Sequence, residues 1–226
     1  MRKINLAEIL WYLLIVILAL VDRIIGKTPT IAEMYYYIVG IHRVVLIHIP
    51  FFTYLLMRSY LKISRPAIIV RYKSVSAWTH IQLKSLAKIG FRSSIILNLI
   101  ITFFLASVDI SFIWRSEYLM FVLFSLVAQT MGLMLIGILY LNLTNLSNVK
   151  FAFVQVILIF LALSSLMRNL TQFAFKDLLL PIWDAMYFYE MKVDVLNDVK
   201  YILINIALVF LLQVCYKKYL KQKDWL

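Results

Sequence analysis

RSYLKISRPAIIVRYKSVSAWTHIQLKSLAKIGFR, residues 58–92, carries eight basic residues (Arg58, Lys62, Arg65, Arg71, Lys73, Lys84, Lys88, Arg92) and no acidic one. Apolar runs long enough to cross a bilayer stand on either side of it. Moving Lys and Arg outward across a membrane is unfavourable, so cytoplasmic loops collect them, and this segment is expected inside the cell. Within it Val75, Trp78, Leu86 and Ile89 recur at roughly helical spacing, while Lys84 and Lys88 share another face at i,i+4. Pro66 disfavours helix at Ser64 and Arg65. The pattern predicts a short amphipathic cytosolic helix over about 74–89, held between two membrane helices. Such a helix touches either anionic lipid or a soluble partner.

Composition sets the class. The chain is 64% hydrophobic with a mean hydropathy of +0.90, well beyond ordinary soluble domains. An all-α membrane protein is expected, with residues 1–226 forming a single transmembrane domain. The net charge of +12 does not point to nucleic acid. Its basic residues gather on segments predicted to be inside: Arg2, Lys3, the eight named above, Lys150, Lys217, Lys218, Lys221 and Lys223, opposed there only by Glu8 and Asp224. That asymmetry is positive-inside topology, with attraction to the lipid bilayer's anionic headgroups as a by-product. The one cysteine, Cys215, cannot form an internal disulfide, and no Cys/His spacing resembles a zinc site. The N-terminal apolar run lacks a small-residue cleavage site after it, so a retained anchor helix is expected there.

Six apolar runs follow in order: 9–25, 34–57, 93–114, 118–141, 151–167 and 201–216. Six spans place the N- and C-termini in the cytosol. Tyr35, Tyr36 and Tyr37 suit an outer aromatic belt. Pro50 predicts a kink in the second span, and Gly132 and Gly137 permit close helix contact in the fourth. Between the fifth and sixth runs, short apolar clusters are separated by Lys176, Asp177, Pro181, Asp184 and Glu190. Each is too short to span, which predicts either short re-entrant helices or an outer loop with a surface-lying helix.

Catalytic signatures are lacking. No G-x-x-x-x-G-K-[ST], H-E-x-x-H or G-x-S-x-G occurs, and the chain is expected to be non-enzymatic and to hold no cofactor itself. One charged set does share a depth. Asp22, Arg43, Asp109 and Arg168 each lie about fifteen to seventeen residues from the inner end of their runs, which at 1.5 Å per residue is one level in the outer third of the bilayer. Charge in hydrocarbon is costly unless paired, so Asp22 and Asp109 are expected to face Arg43 or Arg168. This outer charge layer either fixes helix packing or gates a polar path.

Taken together, the six spans with both ends inside, the long basic segment between the second and third, and the interrupted segment Leu178-Leu-Leu-Pro181-Ile-Trp183 between the fifth and sixth resemble the permease subunit of a type-2 ABC transporter. Ile68-Ile-Val-Arg71-Tyr-Lys-Ser74 followed by Trp78 is similar to small Gram-positive permeases for bacteriocin or lantibiotic immunity and cytolytic peptide export. The resemblance implies a cytosolic coupling helix between helices 2 and 3, docking on a cytosolic ABC ATPase that binds ATP and Mg. Arg71, Lys73, Trp78, Lys84 and Leu86 would make that contact, with Trp78 and Leu86 as buried anchors and the cations at the rim. It also implies re-entrant helices around Leu180, Pro181 and Trp183, a second permease copy or paralogue, a bacterial plasma membrane, and amphipathic or antimicrobial peptide as cargo. Against it stand a substrate-binding membrane module of a vitamin-type small-molecule importer and, more remotely, an integral membrane enzyme.

Overall fold

No proline occurs between Ser74 and Ser107, and one glycine is too weak a breaker to stop a long helix. The computed structural model, which describes residues 6–25, 30–40, 43–63, 74–169 and 195–222, accordingly runs helix straight through that stretch. The helices are α1 (Leu6–Ile25), α2 (Ile31–Val39), α3 (Ile49–Ile63), α4 (Val75–Ala106), α5 (Ser116–Leu146), α6 (Val149–Asn169) and α7 (Val195–Gln222). No strand occurs among the described residues. Among the described residues, four helical stretches are long and apolar enough to cross a membrane: Ile31–Leu61, Ser76–Ala106, Ser116–Leu146 and Ile202–Leu220, with a shorter apolar helix at Val149–Leu163. A helical membrane protein is the class this describes.

The separate helix expected over 74–89 is therefore not found; it is the first half of α4. Ser74 caps it, accepting the Ala77 N–H at 3.2 Å. Gly90 lies inside, where a side-chain methyl would sit at van der Waals distance from Leu133 and Thr130 of α5. α4 ends at Ala106, short of the expected Trp114, and Phe112–Trp114 form a single 3₁₀ turn. The polar turn expected over 142–150 shrinks to Ser147 and Asn148, because Asn142 stays helical by donating to the Ile138 and Leu212 carbonyls at 2.9 and 3.2 Å.

The second span is broken rather than merely kinked. Thr30 and Glu33 form a capping box that starts α2, and Gly40, with ψ at 148°, stops it. A π-helical turn, Val44–His48, then leads into α3. Pro50 accounts for that turn: its ring would crowd the carbonyl four residues back, at Leu46, and a wider turn relieves the crowding. Across this break the buried His48 Nε2–H donates to the Ile38 carbonyl at 3.1 Å. Of the tyrosines expected to form an aromatic belt, Tyr35 is buried, edge-on to Phe121 at 5.4 Å, and Tyr36 is exposed.

α5 is the axis of the bundle. α4 runs antiparallel to it, α7 and α6 pack along it, and α3 fits between α4 and α6. Its Gly137 allows close approach, since a methyl added there would overlap Leu86 of α4. α1 lies parallel to the second half of α4, tied at one end by Glu8–Arg92 (2.8 Å) and at the other by Arg23, which donates to the Ser107 hydroxyl and carbonyl at 2.6 and 2.9 Å.

Candidate functional site

Polar side chains in the bundle collect at three levels along α4, and the levels differ in how completely their groups are used. The middle level joins α4 to α5. Asn98 donates to the Gln129 Oε1 and the Ser94 carbonyl, both at 2.9 Å. Ser125 Oγ donates to Asn98 Oδ1 at 3.2 Å, and Gln129 Nε2 donates to Ser125 Oγ at 2.8 Å. All three side chains, Asn98, Ser125 and Gln129, are buried. Their donors and acceptors close on one another, which makes this set a clamp between two helices, with no group left over for a ligand.

The level nearer the basic residues is looser. Tyr216 of α7 donates to Gln82 Oε1, and the hydroxyls of Ser59 and Ser85 meet at 3.3 Å. Gln82 is 4% exposed, yet its Nε2 has no hydrogen-bond partner among the described residues. It borders a cavity of about 20 Å³, lined by Ser59, Tyr60, Ser85, Leu86 and Tyr140 among others. That volume is the size of one water molecule. A buried amide donor beside such a space is a local cost at the place where α3, α4, α5 and α7 meet.

The third level, at the other end of α4, holds residues of the charged set that the counting singled out. Asp22 of α1 pairs with Arg43, one of the two arginines that the counting offered it. Asp109 does not join them. α4 has ended three residues earlier, so Asp109 stands in the following turn, accepts the Ser111 N–H and hydroxyl at 2.9 and 2.7 Å, and lies 3.7 Å from Arg115. The Ser111 hydroxyl first, then backbone N–H groups and the Arg115 charge, hold its carboxyl below the ordinary aspartate range. Arg168 belongs to α6, but its side chain lies outside the described residues.

Two of the expected partner-contact residues are corrected by burial. Trp78 is 3% exposed and packs with Leu141, Tyr216 and Leu220; Leu86 is 2% exposed against Gly137. Neither side chain faces outward in this arrangement, because α5 and α7 cover the apolar face of α4's first half. Lys84 is exposed. Arg71, Lys73, Leu180, Pro181 and Trp183 lie outside the described residues. Counting along single helices missed the Asn98–Ser125–Gln129 clamp, though polar residues at i,i+4 in α5 (Ser125, Gln129) were a signal for it. No group of three or more His, Cys, Asp or Glu capable of holding a metal occurs among the described residues. No family model, no curated protein and no solved structure matches this chain.

Proposed function

We propose that the chain is the transmembrane permease subunit of an ATP-driven exporter of the type-2 ABC kind, moving amphipathic or antimicrobial peptides out of a bacterial plasma membrane. In this reading it spans six times with both termini in the cytosol, pairs with a second permease copy or paralogue, and leaves ATP and Mg to separate cytosolic subunits. One observation carries it: α4 is continuous from Val75 to Ala106. Its 32 residues make a rod of about 48 Å, against a hydrocarbon thickness of about 30 Å. A helix that long stands out of the bilayer, so a push on its first turns is delivered to the mid-bundle clamp at Asn98 without an intervening hinge.

The partner contact then moves from Trp78 and Leu86 to the exposed start of α4, Ser76, Ala77 and His80, and to Arg71 and Lys73 just before it. Trp78 acts on folding. Its truncation to Ala is expected to destabilise the chain by about 3–5 kcal/mol, as for other buried tryptophans.

The test is purification of the complex from its native membrane with ATP hydrolysis as the readout. The S76E/H80E variant should insert and fold normally but lose the co-purifying ATPase activity. If the wild-type chain brings no ATPase activity and instead retains a small-molecule ligand, the permease reading fails and the importer module takes its place.

A further inference from the structure

We infer that the exposed face of α4 around Lys84 and Lys88 is a docking surface for the headgroups of anionic lipid. The inference rests on the chain spanning a membrane, and is independent of whether it transports anything. Along the outward face of α4 the chemistry changes from cationic to apolar while most of its positions stay exposed. Lys84 and Lys88 are exposed, and next along the same face come Phe91, Leu99 and Phe103, exposed at 48%, 63% and 68%. Side chains of that apolar kind at that exposure belong in hydrocarbon, and the lysines belong at its edge, with their alkyl stems along the acyl region and their ammonium groups at phosphate depth.

The spacing agrees. From Lys88 to the end of α4 at Ala106 the rise is about 27 Å, and Asp109 and Arg115 follow immediately beyond. Polar groups thus bracket one hydrocarbon thickness of about 30 Å. Other helices place cations near the same depth. The Tyr216–Gln82 hydrogen bond sets exposed Lys218 of α7 within about a turn of Lys84. The Ser59–Ser85 contact does the same for exposed Arg58 of α3. The nearby carboxylate, Glu8, is already engaged by Arg92 at 2.8 Å. Neither Lys84 nor Lys88 forms an ion pair among the described residues.

The full chain, purified in non-ionic detergent, is titrated with phosphatidylglycerol, with phosphatidylcholine and with inorganic phosphate, following lipid retention by native mass spectrometry and the thermal unfolding midpoint. Phosphatidylglycerol should be retained and raise the midpoint; the other two should not. At about fivefold per basic residue near a charged surface, K84Q/K88Q should weaken phosphatidylglycerol retention roughly 25-fold, with the lipid-free midpoint unchanged. K84R/K88R should retain it and controls for folding. Equal retention of phosphatidylcholine, an equal shift with inorganic phosphate, or an undiminished response in K84Q/K88Q overturns the assignment. So does a variant that dissociates a dimer without changing lipid retention, since the face would then belong to a second copy.

Discussion

Asp22 and Asp109 stand at the same end of the bundle, each beside an arginine, and are held in unlike ways. Asp22 bridges α1 to Arg43 at the broken second span, with both side chains mostly covered. Asp109 sits in an exposed turn, where Ser111 engages it more closely than Arg115 does. The first pair has given up most, though not all, of its water, so each partner leans on the other. The second keeps its hydration, and its ion pair contributes little. Sharing a depth in the sequence therefore says nothing about sharing a role.

Among changes to these polar contacts the largest effect should come from Arg43→Gln, which strands Asp22. Because both side chains keep some exposure, the loss is expected toward the low end of the about 3–5 kcal/mol typical of a broken buried pair. Chemical unfolding in detergent measures it. Adding Asp22→Asn to that variant should then recover part of the loss; no recovery would break the pairing on which the comparison stands.

Next in size is Asn98→Leu, which opens the middle clamp without introducing charge. It leaves Ser125 and Gln129 short of partners, and about 1–2 kcal/mol is expected from the values for hydrogen bonds between membrane helices and for unpaired buried groups. A larger loss than that of Arg43→Gln would show that neutral hydrogen bonds, and not the ion pair, hold the bundle.

Smallest is Asp109→Asn, expected to move the unfolding midpoint by about 1 °C. The pH dependence sharpens the point. The carboxyl of Asp109 is depressed in the folded chain, so its contribution is present above the ordinary aspartate range and lost as pH falls through the folded value. The wild type and Asp109→Asn should therefore converge on acidification. Divergence at low pH would give Asp109 a role the turn does not explain.

Several features were open to reading from residue order alone. The excess of apolar residues, the positions of the long runs and the basic character of residues 58–92 all follow from local composition. So does the irregularity near Pro50, because a ring without an N–H acts within one turn. Pairing of Asp22 with Arg43 was also within reach, since both lie near chain breaks that fix their depth. The expectation for Asp109 failed because counting 1.5 Å per residue assumed helix as far as Trp114, while α4 stops at Ala106.

The face of the basic segment was decided only in three dimensions. Val75, Trp78, Leu86 and Ile89 identify an apolar side of a helix, and a soluble partner's groove or the chain's own neighbours would satisfy it equally well. Trp78 is covered by Leu141, Tyr216 and Leu220, and Leu86 by the space that Gly137 leaves. Those neighbours stand about 50 to 140 residues further along the chain. Hydrophobic periodicity says that a face is buried; it takes the packing of α5 and α7 against α4 to say by what.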